Sequence, residues 1–151
     1  MKFKEITRQA FEVFSNDVAS PPTITLRGGD ALDDYEQPPR FDEEIDAITD
    51  EYILKYVWGI GYLDSVSARH YLPHLIEFSE RHYELGSLVI DALLNSLRPP
   101  DREPPRLATF SADQKALIAK FIELLSFSPE SAHQDLACQV LEEWWVSEAL
   151  C

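Results

Sequence analysis

Residues Ser65–Phe78 read SVSARHYLPHLIEF, and the rest of the chain is organised around them. At roughly 100° per residue, Ala68, Tyr71, Leu72, Leu75, Ile76 and Phe78 fall on one side of a helix, and Arg69, His70, His74, Glu77 and Arg81 on the other. Ser65 stands where an N-cap belongs, its hydroxyl able to accept from a free backbone N–H of the first turn. Pro73 sits in the middle, where it removes one hydrogen bond and costs roughly 3 kcal/mol. A helix that keeps such a proline needs firm tertiary packing. Tyr71-Leu72-Pro73 is therefore read as a structural anchor.

Outward from this helix the same periodicity recurs. Phe3, Ile6, Ala10, Phe14 and Val18 predict a first helix over residues 3–18, ended by Ser20-Pro21-Pro22. Thr23–Leu26 is short and β-branched, and reads either as one short strand or as an extended arm. Asp42 is a candidate cap for a helix bearing Ile45, Ile48, Tyr52 and Tyr56, which Gly59 and Gly61 then break. Leu85–Leu97 is apolar around most of its circumference, the pattern of a helix packed on several sides. Ser111 with Gln114 forms a capping box behind Phe110, and Ser128-Pro129 carries the signals of a last helix start. That helix aligns Ala132, Leu136, Val140 and Trp144 and leaves Trp145 to the side. The expected fold is all-α: a single domain over residues 1–151, a bundle of about six helices, with an acidic loop over 27–44 and a Pro-rich loop over 98–109.

The totals bound the class. A chain of 151 residues with 45% hydrophobic and 11% aromatic content can close one real core. No apolar run reaches the roughly 18–20 residues of a membrane span. The opening MKFKEITRQAFEVF lacks the apolar stretch of an export signal, so a cytoplasmic location is expected. In a reducing compartment Cys138 and Cys151 are expected as free thiols.

The net charge of −14 argues against nucleic acid, whose binding needs Lys and Arg to displace counterions from phosphates. It disfavours anionic membranes equally. Ten carboxylates lie between Asp30 and Glu51: Asp30, Asp33, Asp34, Glu36, Asp42, Glu43, Glu44, Asp46, Asp50 and Glu51, with Arg40 among them. The spacing of a calcium loop is absent. A solvated acidic loop is expected, and neutralising the whole segment is expected to cost little stability. Arg98, Arg102 and Arg106 concentrate the basic charge of the Pro-rich loop, either to neutralise the acidic loop or to mark an interaction spot.

Catalytic signatures are missing. There is no nucleophile elbow and no phosphate loop. His70 and His74, one helical turn apart with Glu77 beside them, form the weak metal candidate; His82 falls on the apolar side of the wheel and His-Glu-x-x-His is absent. No catalytic residue and no cofactor is assigned.

The N-terminal helix with Ala10-Phe11, Trp58, Tyr71-Leu72-Pro73, the helix with Phe110 and Gln114, and the terminal Leu141-x-x-Trp144 together resemble a family of small bacterial proteins known only as a domain of unknown function. The resemblance spans most of the chain, rests on hydrophobic landmarks, and implies no activity or site. The reading of the residues themselves favours a non-enzymatic protein–protein interaction module, with an immunity- or inhibitor-like protein against a basic partner as its specific form. Its candidate interaction residues are Asp30, Asp33, Asp34, Glu36, Asp42, Glu43, Glu44 and Trp145. The alternative is a small metal-dependent enzyme using His70, His74 and Glu77.

Overall fold

The computed structural model describes residues 2–145, and among these every regular element is helical, without a strand. The elements run α1 (Phe3–Val13), α2 (Ser15–Ala19), α3 (Leu26–Asp33), α4 (Asp50–Lys55), a 3₁₀ turn (Val57–Tyr62), α5 (Ser65–His82), α6 (Leu88–Ser96), a short 3₁₀ turn (Leu107–Thr109), α7 (Ala112–Phe127), α8 (Gln134–Val140) and a π-helical turn (Leu141–Trp145). The α-helices of seven residues or more are α1, α3, α5, α6, α7 and α8, matching the expected bundle of about six.

The long helix α5 lies at the centre, with Pro73 inside it and Tyr71, Leu72, Leu75, Ile76 and Phe78 buried. Its cap is Asp64 rather than Ser65: the Asp64 carboxylate accepts the Ser67 N–H at 2.8 Å, and Ser65 becomes the first helical residue. The side expected to face solvent is also covered. His70 is buried, its Nδ1 lying 3.0 Å from the Asp17 carbonyl. Arg69 pairs with the Asp17 carboxylate at 3.0 Å, and Phe11 sets its ring edge-on to His74 at 5.1 Å. Helices α1 and α2 thus pack against the polar side of α5 and turn it into a polar seam.

Thr23–Leu26 pairs with no strand. The Ile24 N–H donates to Ser67 Oγ at 2.8 Å and the Leu26 N–H to the Tyr71 hydroxyl at 3.3 Å, so side chains of α5 satisfy the extended backbone. Thr25 then caps α3 through Gly28 N–H. The expected loop over 27–44 therefore begins with seven residues of helix, 27–33. Gly28-Gly29 is no turn but the contact face of α3. A Cβ added at Gly29 would stand 2.4 Å from the Gly59 carbonyl oxygen, and one at Gly59 only 2.1 Å from the Leu26 carbonyl oxygen. Two glycines let α3 and the Val57–Tyr62 turn touch backbone to backbone.

Other boundaries move for similar reasons. The helix assigned to 3–18 breaks at Phe14, and the one expected from Asp42 starts only at Asp50 under a Thr49 cap. The capping box of Ser111 and Gln114 is present as read. The last helix starts at Gln134, because the Ala132 N–H is taken by the Tyr83 carbonyl at 2.9 Å and the His133 N–H by Ser131 Oγ.

The Pro-rich connection is less solvent-facing than its composition suggests. Arg106 is buried and donates to the carbonyls of Leu63 at 3.2 Å and Ser96 at 2.9 Å. Burial, then the neighbouring Arg102, lowers its pKa to about 10. Asp101 accepts the backbone N–H groups of Arg102, Arg106, Leu107 and Ala108 at 2.9–3.1 Å. Burial opposes its charge, but these four donors hold its carboxyl below the usual range. Asp101→Ala is expected to cost about 2 kcal/mol or more, since hydrogen bonds to a charged acceptor are worth roughly 1.5–3 kcal/mol. Thermal unfolding checks this: a melting point unchanged from wild type would show that the loop does not depend on the carboxylate.

Candidate interaction surface

The acidic stretch divides into residues that hold the fold and residues that do not. Asp46 belongs to the first set. Its side chain is fully buried in a bidentate pair with Arg27, Nε to Oδ1 at 3.0 Å and Nη2 to Oδ2 at 2.9 Å. It also accepts the Tyr52 hydroxyl at 2.7 Å and the Asp42 N–H at 2.8 Å. Asp50 pairs with Arg81 and with His82 at 2.9 Å. Asp42 accepts the N–H groups of Glu44 and Ile45 at 3.0 Å and so caps a tight turn. The expectation that the whole segment can be neutralised cheaply is corrected by Asp46.

Asp30, Asp33, Asp34 and Glu36 form the second set. They lie on the last turn of α3 and just beyond, and none makes an ion pair with a described residue. Desolvation raises the Asp30 carboxyl above its ordinary value, and the charges of Asp34, Asp33 and Glu36 raise it further. A helix C-terminus carries partial negative charge, so acids placed there cost stability, about 0.3–1 kcal/mol each when exposed. Four carboxylates crowded against one another at that end do not stabilise the helix they close.

Tyr35 stands among them at φ 60°, fully exposed. Such a backbone angle is uncommon outside glycine, asparagine and aspartate. Asp33 lies against the Tyr62 hydroxyl and pushes that phenol up. Tyr62 is itself exposed. Further along, Glu43 and Glu44 project from the Asp42 turn beside exposed Phe41 and Ile45. The acidic loop is thus interleaved with exposed aromatic and aliphatic side chains, a pattern its charge did not reveal.

Trp145 does not lie on this surface. It packs partly buried against Phe110, ring centroids 6.4 Å apart, and its Nε1 donates to the Leu97 carbonyl at 2.7 Å. Trp144 is the exposed member of the pair. The exchange follows from the π-helical turn over Leu141–Trp145, where the wider i→i+5 winding advances each residue by less than an α-helix does. Trp145 then takes the inward position that a uniform wheel gives to Trp144. Arg98, read as either neutralising the acidic loop or marking an interaction spot, pairs with Glu143 on the same turn at 2.8 Å. Arg102 donates to the Gly61 carbonyl at 2.7 Å.

The metal candidate is spread over different surroundings. His70 faces the Asp17 carbonyl, Glu77 faces Arg81 at 3.4 Å, and His74 sits against Phe11. Burial, then the neighbouring His70, lowers the His74 pKa. Among the described residues no group of three or more His, Cys, Asp or Glu side chains could hold a metal ion. No described helix is long and apolar enough to cross a membrane. Cys138 is a free thiol directed at the Ser126 carbonyl, and Cys151 lies outside the described residues.

An all-α architecture with an acidic, aromatic-studded surface defines the class of this protein. Within it, residues 2–149 match the model of DUF6714, a family of unknown function, and the chain belongs to that family. No curated protein and no solved structure matches the chain.

Proposed function

We propose that this chain is a non-enzymatic cytoplasmic interaction module that engages a basic protein through the acidic end of α3, in the manner of an immunity or inhibitor protein. One observation carries the reading: Asp30, Asp33, Asp34 and Glu36 are crowded, without ion pairs to described residues, at the helix end that disfavours them. Exposed Tyr35 and Tyr62 beside them supply the aromatic anchors that protein interfaces use. The net charge of −14 would steer a cationic partner toward the molecule.

The test is capture of partners from native lysate by the wild-type chain and by a D30N/D33N/D34N/E36Q variant. Wild type should retain a basic protein at low salt and release it at high salt, because exposed charges are screened beyond about 8 Å at physiological ionic strength. The variant should lose the partner while folding as stably as wild type or more so, since mutual repulsion is removed. Equal capture by the variant sinks the reading.

A further inference from the structure

A second surface lies away from the acidic end of α3, where α4, the end of α5 and the start of α6 meet. Leu54, Phe78, Arg81, His82, Glu84, Leu85, Gly86, Ser87 and Leu88 enclose an open groove of about 390 Å³ there. Its leucines are anomalous: Leu85 is 77% exposed, Leu54 55% and Leu88 52%, each from a different segment. Leu85–Leu97, expected to be packed on several sides, leaves its leading Leu85 and Leu88 exposed. Scattered exposed apolar residues are ordinary, but several lining one groove mark a contact site. Gly86 sits between Leu85 and Leu88 on the rim, where a Cβ would meet nothing within 4 Å, so that side of the groove is open.

The charge around the groove selects the occupant. Arg81 is already engaged by Asp50 and Glu77, and His82 by Asp50. Glu84, exposed on the rim, makes no ion pair with a described residue. Glu51, the neighbour of Asp50 on α4, is exposed as well. Lys55, next to Leu54 on α4, is exposed too, but its ammonium lies over the Tyr56 ring, 5.4 Å from the centroid. The charge left on Glu84 and Glu51 is negative, as is the net charge of the whole molecule. We infer that this groove receives a basic amphipathic helix of a partner protein, its apolar stripe laid on Leu54, Leu85 and Leu88 and its Lys or Arg side chains facing Glu84 and Glu51. This is the helix-in-groove mode, read by anchors at i, i+3, i+4 and i+7. The inference shares with the proposed function only the sign of the partner's charge.

The experiment uses the full-length chain and a fourteen-residue peptide of Leu and Lys with leucine at i, i+3, i+4 and i+7, alongside its Leu/Glu counterpart. Calorimetry should give at least tenfold weaker binding of the Lys peptide to L54S/L85S/L88S than to wild type. These side chains are exposed, so the variant should keep its melting point. Methyl resonances of Leu54, Leu85 and Leu88 should move on titration, and the Glu peptide should bind at least tenfold more weakly. Unchanged affinity in the serine variant, unmoved methyls at saturation, or equal binding of the Glu peptide each overturns the inference. Binding lost in D30N/D33N/D34N/E36Q but kept in the serine variant would overturn the groove and leave the acidic surface standing. The reverse pattern would support the groove and remove the acidic surface for this ligand. Association of the chain with itself, abolished by the serine substitutions, would assign the groove to a second copy and overturn the inference too.

Discussion

Gly59→Ala is expected to destabilise the chain by about 3 kcal/mol or more, a large part of the 5–15 kcal/mol that holds a typical domain together. The added methyl would stand 2.1 Å from the Leu26 carbonyl oxygen and 2.9 Å from the Asp30 nitrogen, both main-chain atoms of α3. Overpacking in a core ordinarily costs 1–3 kcal/mol, because side chains shift to relieve it. Here no side chain can rotate away. Helix α3 must move as a body, which strips Leu26 from the core and disturbs the hydrogen bond from the Leu26 N–H to Tyr71. The reciprocal change, Gly29→Ala, meets the Gly59 carbonyl at 2.4 Å and should be nearly as damaging. Gly61→Ala is the control: its Cβ meets nothing within 4 Å, so the effect should stay within about 0.5 kcal/mol. Urea unfolding of the three variants gives the comparison. A Gly59→Ala midpoint close to that of Gly61→Ala would refute the close crossing of α3 on the Val57–Tyr62 turn.

This crossing also marks where sequence reasoning ran out. A Gly-Gly pair usually signals a turn, and nothing local says that Gly29 faces Gly59, thirty residues away. Periodicity found the buried stripe of α5 because leucine, tyrosine and phenylalanine advertise burial. It missed the burial of His70 because a polar residue is counted as solvated until its partner, the Asp17 carbonyl, is known. The capping box at Ser111 was legible because both partners lie within one turn. The arginines of the Pro-rich loop were not, since Arg106 and Arg102 bond to carbonyls of Leu63 and Gly61 around forty residues earlier. In the acidic stretch the charge itself could be read directly. The division of labour within it could not: Asp42 caps a turn, Asp46 is buried in an ion pair, and Asp33 lies against the Tyr62 hydroxyl, yet all three look alike in sequence.

Asp46→Ala should show that division directly, with a loss of about 3–5 kcal/mol, the usual result of removing one partner from a buried ion pair. Arg27 would keep its charge with only 20% of its side chain exposed, and the Tyr52 hydroxyl and Asp42 N–H would lose their acceptor. Tyr52→Phe removes the hydrogen bond to Asp46 and the acceptor of the Arg27 N–H at 3.2 Å, and should cost about 1.5–3 kcal/mol, the value for a bond to a charged group. Because the two side chains share one network, D46A/Y52F should fall well short of the sum of the single effects. The pH dependence has a definite sign. Burial by itself would raise the Asp46 carboxyl, but Arg27, the Asp42 N–H and the Tyr52 hydroxyl outweigh it and hold the pKa below the ordinary range. An acid depressed in the folded state adds stability above its unfolded pKa, about 3.9, and that stability is lost as pH falls through the folded value. Wild type should therefore weaken as the pH drops below about 4, and Asp46→Asn should weaken less over the same interval. Asp50, Asp64 and Asp101 are depressed in the same direction, so only the difference between the two proteins isolates Asp46. Parallel stability curves for wild type and Asp46→Asn would move the acid sensitivity to those three carboxylates, and the Arg27–Asp46 pair would then hold geometry without setting the pH limit of the fold.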